Sequence, residues 1–374
     1  MQSELRRAGA TICVCILIGG VVTGCAGNKT GNTVPTRAPA TTAYKNASAL
    51  ATNLASLGSV SGPIHGTITV GSNEHTLSGT VSLTRGASQV SLLESGQDQV
   101  IADEIVLGSH RYTSPDDKIW IDRGSKADST GLAAALAGAD TTQDAGVGTV
   151  DGVKAHKILT TPDKMDIAPA LGIDTWTYDN ESTTLRVWAN DAGKPVGFGA
   201  SMSWRVTLGG VQQEVATELD VMFTYTSPVQ IEAPTSPWKW VEDKPAGIAF
   251  ALPTAWKRSP VNDALGVTTY LDPASADAVA YNDGLVGNLS LADATKKIGD
   301  QRKDTPSGTQ IIEVGAEDAS WMTYHRTKQK DYQVVAIAVH ETIVYQIFLL
   351  GDPAKESALD SLARQVFATV EFTR

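Results

Sequence analysis

The chain has 374 residues, 42% of them hydrophobic and 19% charged, with a formal net charge of −11. That length has room for two apolar cores, and its acidity opposes binding to nucleic acid or anionic headgroups. The three cysteines, Cys13, Cys15 and Cys25, all lie at the start, so the rest of the chain has no disulfide, thiolate metal site or cysteine nucleophile.

Arg6 and Arg7 precede an apolar run that ends in Val22-Thr23-Gly24-Cys25. The run is about 15 residues, short of the roughly 20 that span a bilayer. A basic start, a short apolar middle and a small-residue junction describe a secretory signal, residues 1–24. The last four residues resemble the bacterial lipobox. That resemblance implies cleavage before Cys25 and a thioether-linked diacylglycerol on its sulfur. Two acyl chains anchor durably where one is marginal. Loss of Glu4, Arg6 and Arg7 with the signal would leave 350 residues carrying −12. Residues 25–41 are small, polar and proline-bearing, and are expected to be a disordered tether. The expected place is the outer, extracytoplasmic face of the cytoplasmic membrane.

A first domain is expected over 42–233. Residues 42–57 place Tyr44, Leu50, Leu54 and Leu57 near helical spacing. Ile64, Gly66, Ile68 and Val70 then alternate, as do Leu77, Gly79, Val81 and Leu83 after a turn expected at Gly71–Glu74. Further strands are expected near 88–94, 98–107, 117–122 and 153–160, with short helices near 128–137 and 162–171. The longest pattern is a pair of runs. Val196, Phe198, Ala200, Met202, Trp204, Val206 and Leu208 alternate on one. Val211, Val215, Leu219, Val221, Phe223 and Tyr225 follow on the next, with Gln213 and Thr217 as gaps. Gly209-Gly210 suits a two-residue hairpin that pairs Leu208 with Val211 and puts both apolar rows on one face.

Pro234 and Pro237 break ladders and helices alike, so 234–237 reads as a linker to a second domain, 238–374. There, strands are expected near 265–272, 309–316, 319–327, 331–340 and 343–350. A helix is expected over Leu289–Asp300 and another over 353–368, the latter burying Leu359, Leu362 and Val366.

A leading helix followed by long antiparallel strands, with Lys118–Arg123 (KIWIDR) and Val150–His156 (VDGVKAH), resembles the mycobacterial LppX/LprG lipoprotein family, a relative of the LolA/LolB carriers. The resemblance implies an α+β fold with a curved antiparallel half-barrel sheet closed by helices around an apolar, acyl-chain-holding cavity. It carries over no catalytic residue. The expected ligand-lining side chains are Phe198, Ala200, Met202, Trp204, Leu219, Val221 and Phe223. Residues 247–256, GIAFALPTAW, resemble the opening of PsbP-like domains, including actinobacterial LpqN-like lipoproteins. That implies a second α+β sandwich with a non-catalytic role.

A search for chemistry returns little. There is no HExxH, GxSxG, phosphate loop or EF-hand loop. With a turn at 71–74, Val70 would face His75 and leave His65 roughly 17 Å down its strand, too far to share a metal. His156 and His325 are expected on solvated strand faces. Asp116-Asp117 beside Pro115 reads as a solvated turn. Trp238 and Trp240 are expected to pack at the domain junction. No metal and no cofactor are expected, and the protein is expected not to be an enzyme. Two readings stay open: a membrane-tethered binder of lipid or glycolipid, or a surface-tethered module with packed cores that docks another envelope protein.

Overall fold

The structure is a computed structural model. It describes residues 53, 59–84, 87–95, 99–107, 110–114, 119–125, 142–150, 152–160, 179–208, 211–225, 229–260, 266–275, 277–302, 304–314 and 317–373. The chain divides into two compact units between Thr235 and Ser236.

Among the described residues, unit 1 has twelve strands: β1 (Val60–Val70), β2 (Asn73–Thr84), β3 (Ala87–Glu94), β4 (Gln99–Leu107), β5 (His110–Ser114), β6 (Ile121–Ser125), β7 (Thr142–Val150), β8 (Val153–Thr160), β9 (Asp179–Ala189), β10 (Pro195–Leu208), β11 (Val211–Met222) and β12 (Thr224–Tyr225). Eleven form one continuous run in the order β6-β5-β4-β3-β2-β1-β11-β10-β9-β8-β7, and β12 pairs with the start of β1. Neighbours in this run are antiparallel. Among the described residues no pairing joins β6 to β7, so the barrel is not closed.

The expected long hairpin is present, with β10 of 14 residues, β11 of 12 and Leu208 opposite Val211. The β1–β2 turn is tighter than expected. Val70 pairs with Asn73, leaving Gly71-Ser72 as the loop, and Gly71 takes the positive φ of 59° that such a turn needs. His75 therefore faces Ile68 and His65 faces Ser78, on opposite sides of the sheet. The strand expected at 117–122 begins later, at Ile121. β5, β7 and β9 were not anticipated. The helices expected at 42–57, 128–137 and 162–171 fall outside the described residues, except for Asn53. That residue is helical and donates from Nδ2 to the Gly193 carbonyl at 2.7 Å.

Two glycines lie where the adjacent strand's backbone comes very close. In a flat ladder a Cβ clears the adjacent strand's carbonyls. At Gly66 it would lie 2.1 Å from the Glu218 carbonyl oxygen, and at Gly79 2.1 Å from that of Ser91. Both glycines sit on the face of Ile64 and Ile68, as does Gly62, whose Cβ would meet the Met222 carbonyl, and only glycine leaves room there.

Unit 2 holds β13 (Trp238–Asp243), β14 (Ile248–Leu252), β15 (Lys257–Ser259), β16 (Thr268–Leu271), β17 (Ala278–Val286), α1 (Leu291–Gln301), β18 (Gly308–Val314), β19 (Glu317–Arg326), β20 (Asp331–His340), β21 (Ile343–Gly351), α2 (Glu356–Ala368) and β22 (Glu371–Phe372). A seven-stranded antiparallel sheet runs β15-β16-β17-β21-β20-β19-β18, and within the unit β22, β14 and β13 pair in that order. Ala294 and Ile298 of α1 pack on Met322, Tyr324, Val335 and Ile337. Leu359, Ala363, Val366 and Phe367 of α2 pack, with β14, against Trp321, Val334 and Ile347. All five residues of β14 are buried, and Phe250 meets Tyr281 edge-on at 5.4 Å. Ser290 caps α1 by accepting from the Asp293 amide at 3.1 Å. Trp238 packs against this core from within the unit. Strands β13 and β17 were not foreseen, and the strand expected at 265–272 narrows to β16.

Candidate functional site

The most extensive feature of unit 1 is one apolar face, and strand register assembles it. On β10, Phe198, Ala200 and Met202 stand opposite Val221, Leu219 and Thr217 of β11. Those three face Ile64, Gly66 and Ile68 of β1, which in turn face Gly79, Leu77 and His75 of β2. Across β10 the face continues through Val187 and Leu185 of β9. Beyond β2 it continues through Leu92 and Val90 of β3. The expected lining residues Phe198, Ala200, Met202, Leu219, Val221 and Phe223 are at most 9% exposed, so the face is withdrawn from water. Trp204 sits opposite Val215 in the ladder, and its side chain is outside the described residues, as is Cys25. The sequence pattern had not placed Leu185 and Val187 here, nor the polar residues described next.

Polar groups interrupt the β2–β5 side of this face. His75 Nδ1 and Glu94 Oε1 are 2.8 Å apart, both side chains nearly buried. Arg111 Nη2 donates to Glu104 Oε2 at 3.1 Å, and the Glu104 side chain is only 4% exposed. Among the described residues, Glu104 Oε1, Arg111 Nε and Thr217 Oγ1 are buried without a hydrogen-bond partner.

The opposite face of the same strands is polar. Arg186, 7% exposed, lies across Gly199, its ladder partner. It donates to Asp220 Oδ1 at 3.2 Å and to Glu218 Oε1 at 3.0 Å, besides Ser201 Oγ and the Leu219 carbonyl. Burial pushes the Asp220 carboxyl above its ordinary range, and the Arg186 charge opposes that push. His156 does not sit on a solvated face as expected. Its side chain is 13% exposed and pairs with Asp191 at 3.0 Å. His325 is half exposed.

Unit 2 offers a polar cleft of about 280 Å³ between β18, β19, β20 and α2. Arg364 stacks over Trp321 at 4.7 Å, Tyr332 donates to Asp360 at 2.7 Å, and Glu356 lies 3.6 Å from His325. Burial and the Asp360 hydrogen bond raise the Tyr332 phenol well above its ordinary value. Trp321 itself is 2% exposed, so the cleft has polar walls and no open apolar floor. Among the described residues no three metal-binding side chains gather, and no helix is long and apolar enough to cross a membrane. Asp116-Asp117 lies outside the described residues.

No family model matches the chain, and no curated protein matches it in sequence. Solved structures give distant likenesses. The lipoprotein LppX of Mycobacterium tuberculosis is 19% identical, covering 49% of this chain and 98% of LppX, with a TM-score of 0.30. LprF from Mycobacterium bovis is 16% identical, covering 52% of this chain and 96% of LprF, at 0.28. The cyanobacterial PsbP of Synechocystis is 13% identical, covering 38% of this chain and 97% of that protein, at 0.31.

Proposed function

We propose that unit 1 binds an apolar ligand, a lipid or glycolipid, on its apolar face, and that the protein is a non-catalytic lipoprotein of the cell envelope. The observation that carries this reading is the largely apolar face from Leu185 on β9 to Val90 on β3, crossed by glycines at which the neighbouring backbone leaves no room for a Cβ. A sheet that folds over its own apolar face makes a trough. Each Å² of acyl chain buried in such a trough contributes about 25 cal/mol. The sequence supplies the second support. Val22–Cys25 would tether the protein to a bilayer, next to a supply of such ligands. In this reading the sheet is an LppX/LprG-like half-barrel closed by helices, and unit 2 is a PsbP-like accessory sandwich.

Full-length protein purified from bacterial membranes tests this by chloroform–methanol extraction and mass spectrometry of the extract. The thioether-linked anchor stays on the protein, so extracted lipid is ligand. About one lipid per chain supports binding. A lipid-free extract from folded protein refutes it and favours the second reading, a tethered module that docks an envelope protein.

A further inference from the structure

We propose that Glu104 and Arg111 form the polar end of the apolar face and read a hydroxyl-bearing headgroup, so that the ligand is an amphiphile with a free alcohol. The inference rests on the apolar-ligand reading above. Register carries the placement. Glu104 faces Val90 across β3–β4, and Arg111 faces Val106 across β4–β5, which itself faces Ser88. Val90 faces Val81 of β2, which faces Gly62 of β1, so both charged side chains lie on the face of Ile64 and Ile68.

Their geometry is that of an unfinished site. Glutamate and arginine commonly pair through two parallel hydrogen bonds, which would satisfy both carboxylate oxygens. Here one contact is made, Arg111 Nη2 to Glu104 Oε2 at 3.1 Å. Glu104 Oε1 and Arg111 Nε are left buried with no partner. The Glu104 side chain is 4% exposed, so water does not serve that oxygen. A buried carboxylate oxygen without a donor is unfavourable in an apolar setting, and a ligand that brings the donor relieves it. An alcohol fits both orphans, because its hydrogen donates to Glu104 Oε1 while its oxygen accepts from Arg111 Nε. The pair's opposite charges leave no net charge to hold an anionic head.

The test uses the full chain in amphipol and equilibrium binding of two probes, 1,2-dioctanoylglycerol and its 3-O-methyl ether. They share the same acyl chains, but the ether has no hydrogen to donate. The alcohol is expected to bind about tenfold or more tightly, because the ether leaves a buried polar group without its partner. Glu104→Gln is expected to shrink that ratio to within about twofold while the ether's affinity holds. Equal binding of both probes to the unsubstituted chain would overturn the headgroup proposal and leave the apolar-ligand reading standing. Binding of neither would overturn both. The two-probe comparison decides even where a variant fails to fold.

Discussion

Replacing Thr217 with valine is predicted to stabilise unit 1. Thr217 is 4% exposed, flanked across the ladders by Ile68 and Met202, and its Oγ1 has no hydrogen-bond partner. Valine keeps the shape and exchanges that hydroxyl for a methyl group. Removing an unsatisfied buried hydroxyl recovers about 1–3 kcal/mol. The strand backbone favours valine as well. For a unit of this size each kcal/mol moves the melting temperature by about 2–4 °C, so a rise of roughly 3–10 °C is expected. Thr217→Ser, which keeps the hydroxyl and loses the methyl, should instead destabilise by about 1 kcal/mol. Differential scanning calorimetry of the three proteins reads both changes. A Thr217→Val protein that melts lower than the parent would refute the reasoning, because it would mean that the hydroxyl has a partner.

Gly199→Ala would place a Cβ 2.1 Å from Asp220 Oδ1 and 2.8 Å from Arg186 Nε. Displacing that ion pair should destabilise unit 1 by about 1–3 kcal/mol, and denaturant titration with an unchanged midpoint would contradict this. Phe250→Ala, which empties the space between Tyr270 and Tyr281, should cost about 3–5 kcal/mol, with calorimetry showing the loss in one of the two units only. Burial pushes Tyr225 from an ordinary 10.0 up to about 12, and also raises Tyr281 and Tyr332. A raised folded-state pKa means stability that is complete below pH 10.0 and drains as pH climbs toward 12, since the unfolded chain ionises first. Ultraviolet titration should therefore show these phenols ionising late and together with unfolding. Ionisation of every tyrosine near pH 10 with the fold intact would be the contrary result.

The long hairpin was legible because period-two alternation over β10 and β11 is unambiguous and Gly209-Gly210 marks its turn. The two helices α1 and α2 were legible for similar local reasons, although α1 begins two residues later than Leu289 and α2 three residues later than 353. What escaped were strands whose pattern is broken by function or exposure. In β7, residues 143–150 are exposed or half-buried, with no buried row. β9 opens with Asp179, Asn180 and Glu181 before Leu185, Val187 and Ala189 alternate. β17 carries Asn282-Asp283-Gly284 at an irregularity in its register with β21. The polar members of the face were invisible for a different reason. Glu104 and Arg111 look like solvent-facing charges in sequence, and only the chain of register from β1 to β5 turns them inward.

Native mass spectrometry of the full chain from a lipid-containing bacterial host, beside an Ala200→Trp/Met202→Trp variant, tests the central claim most directly. Ala200 and Met202 lie mid-face on β10, where two indoles would occupy the space proposed for the ligand. The account predicts a mass excess of one acyl lipid beyond the covalent anchor on the parent chain, and its loss from a folded variant. A parent chain with no such excess, or a variant that keeps it undiminished, would contradict the account.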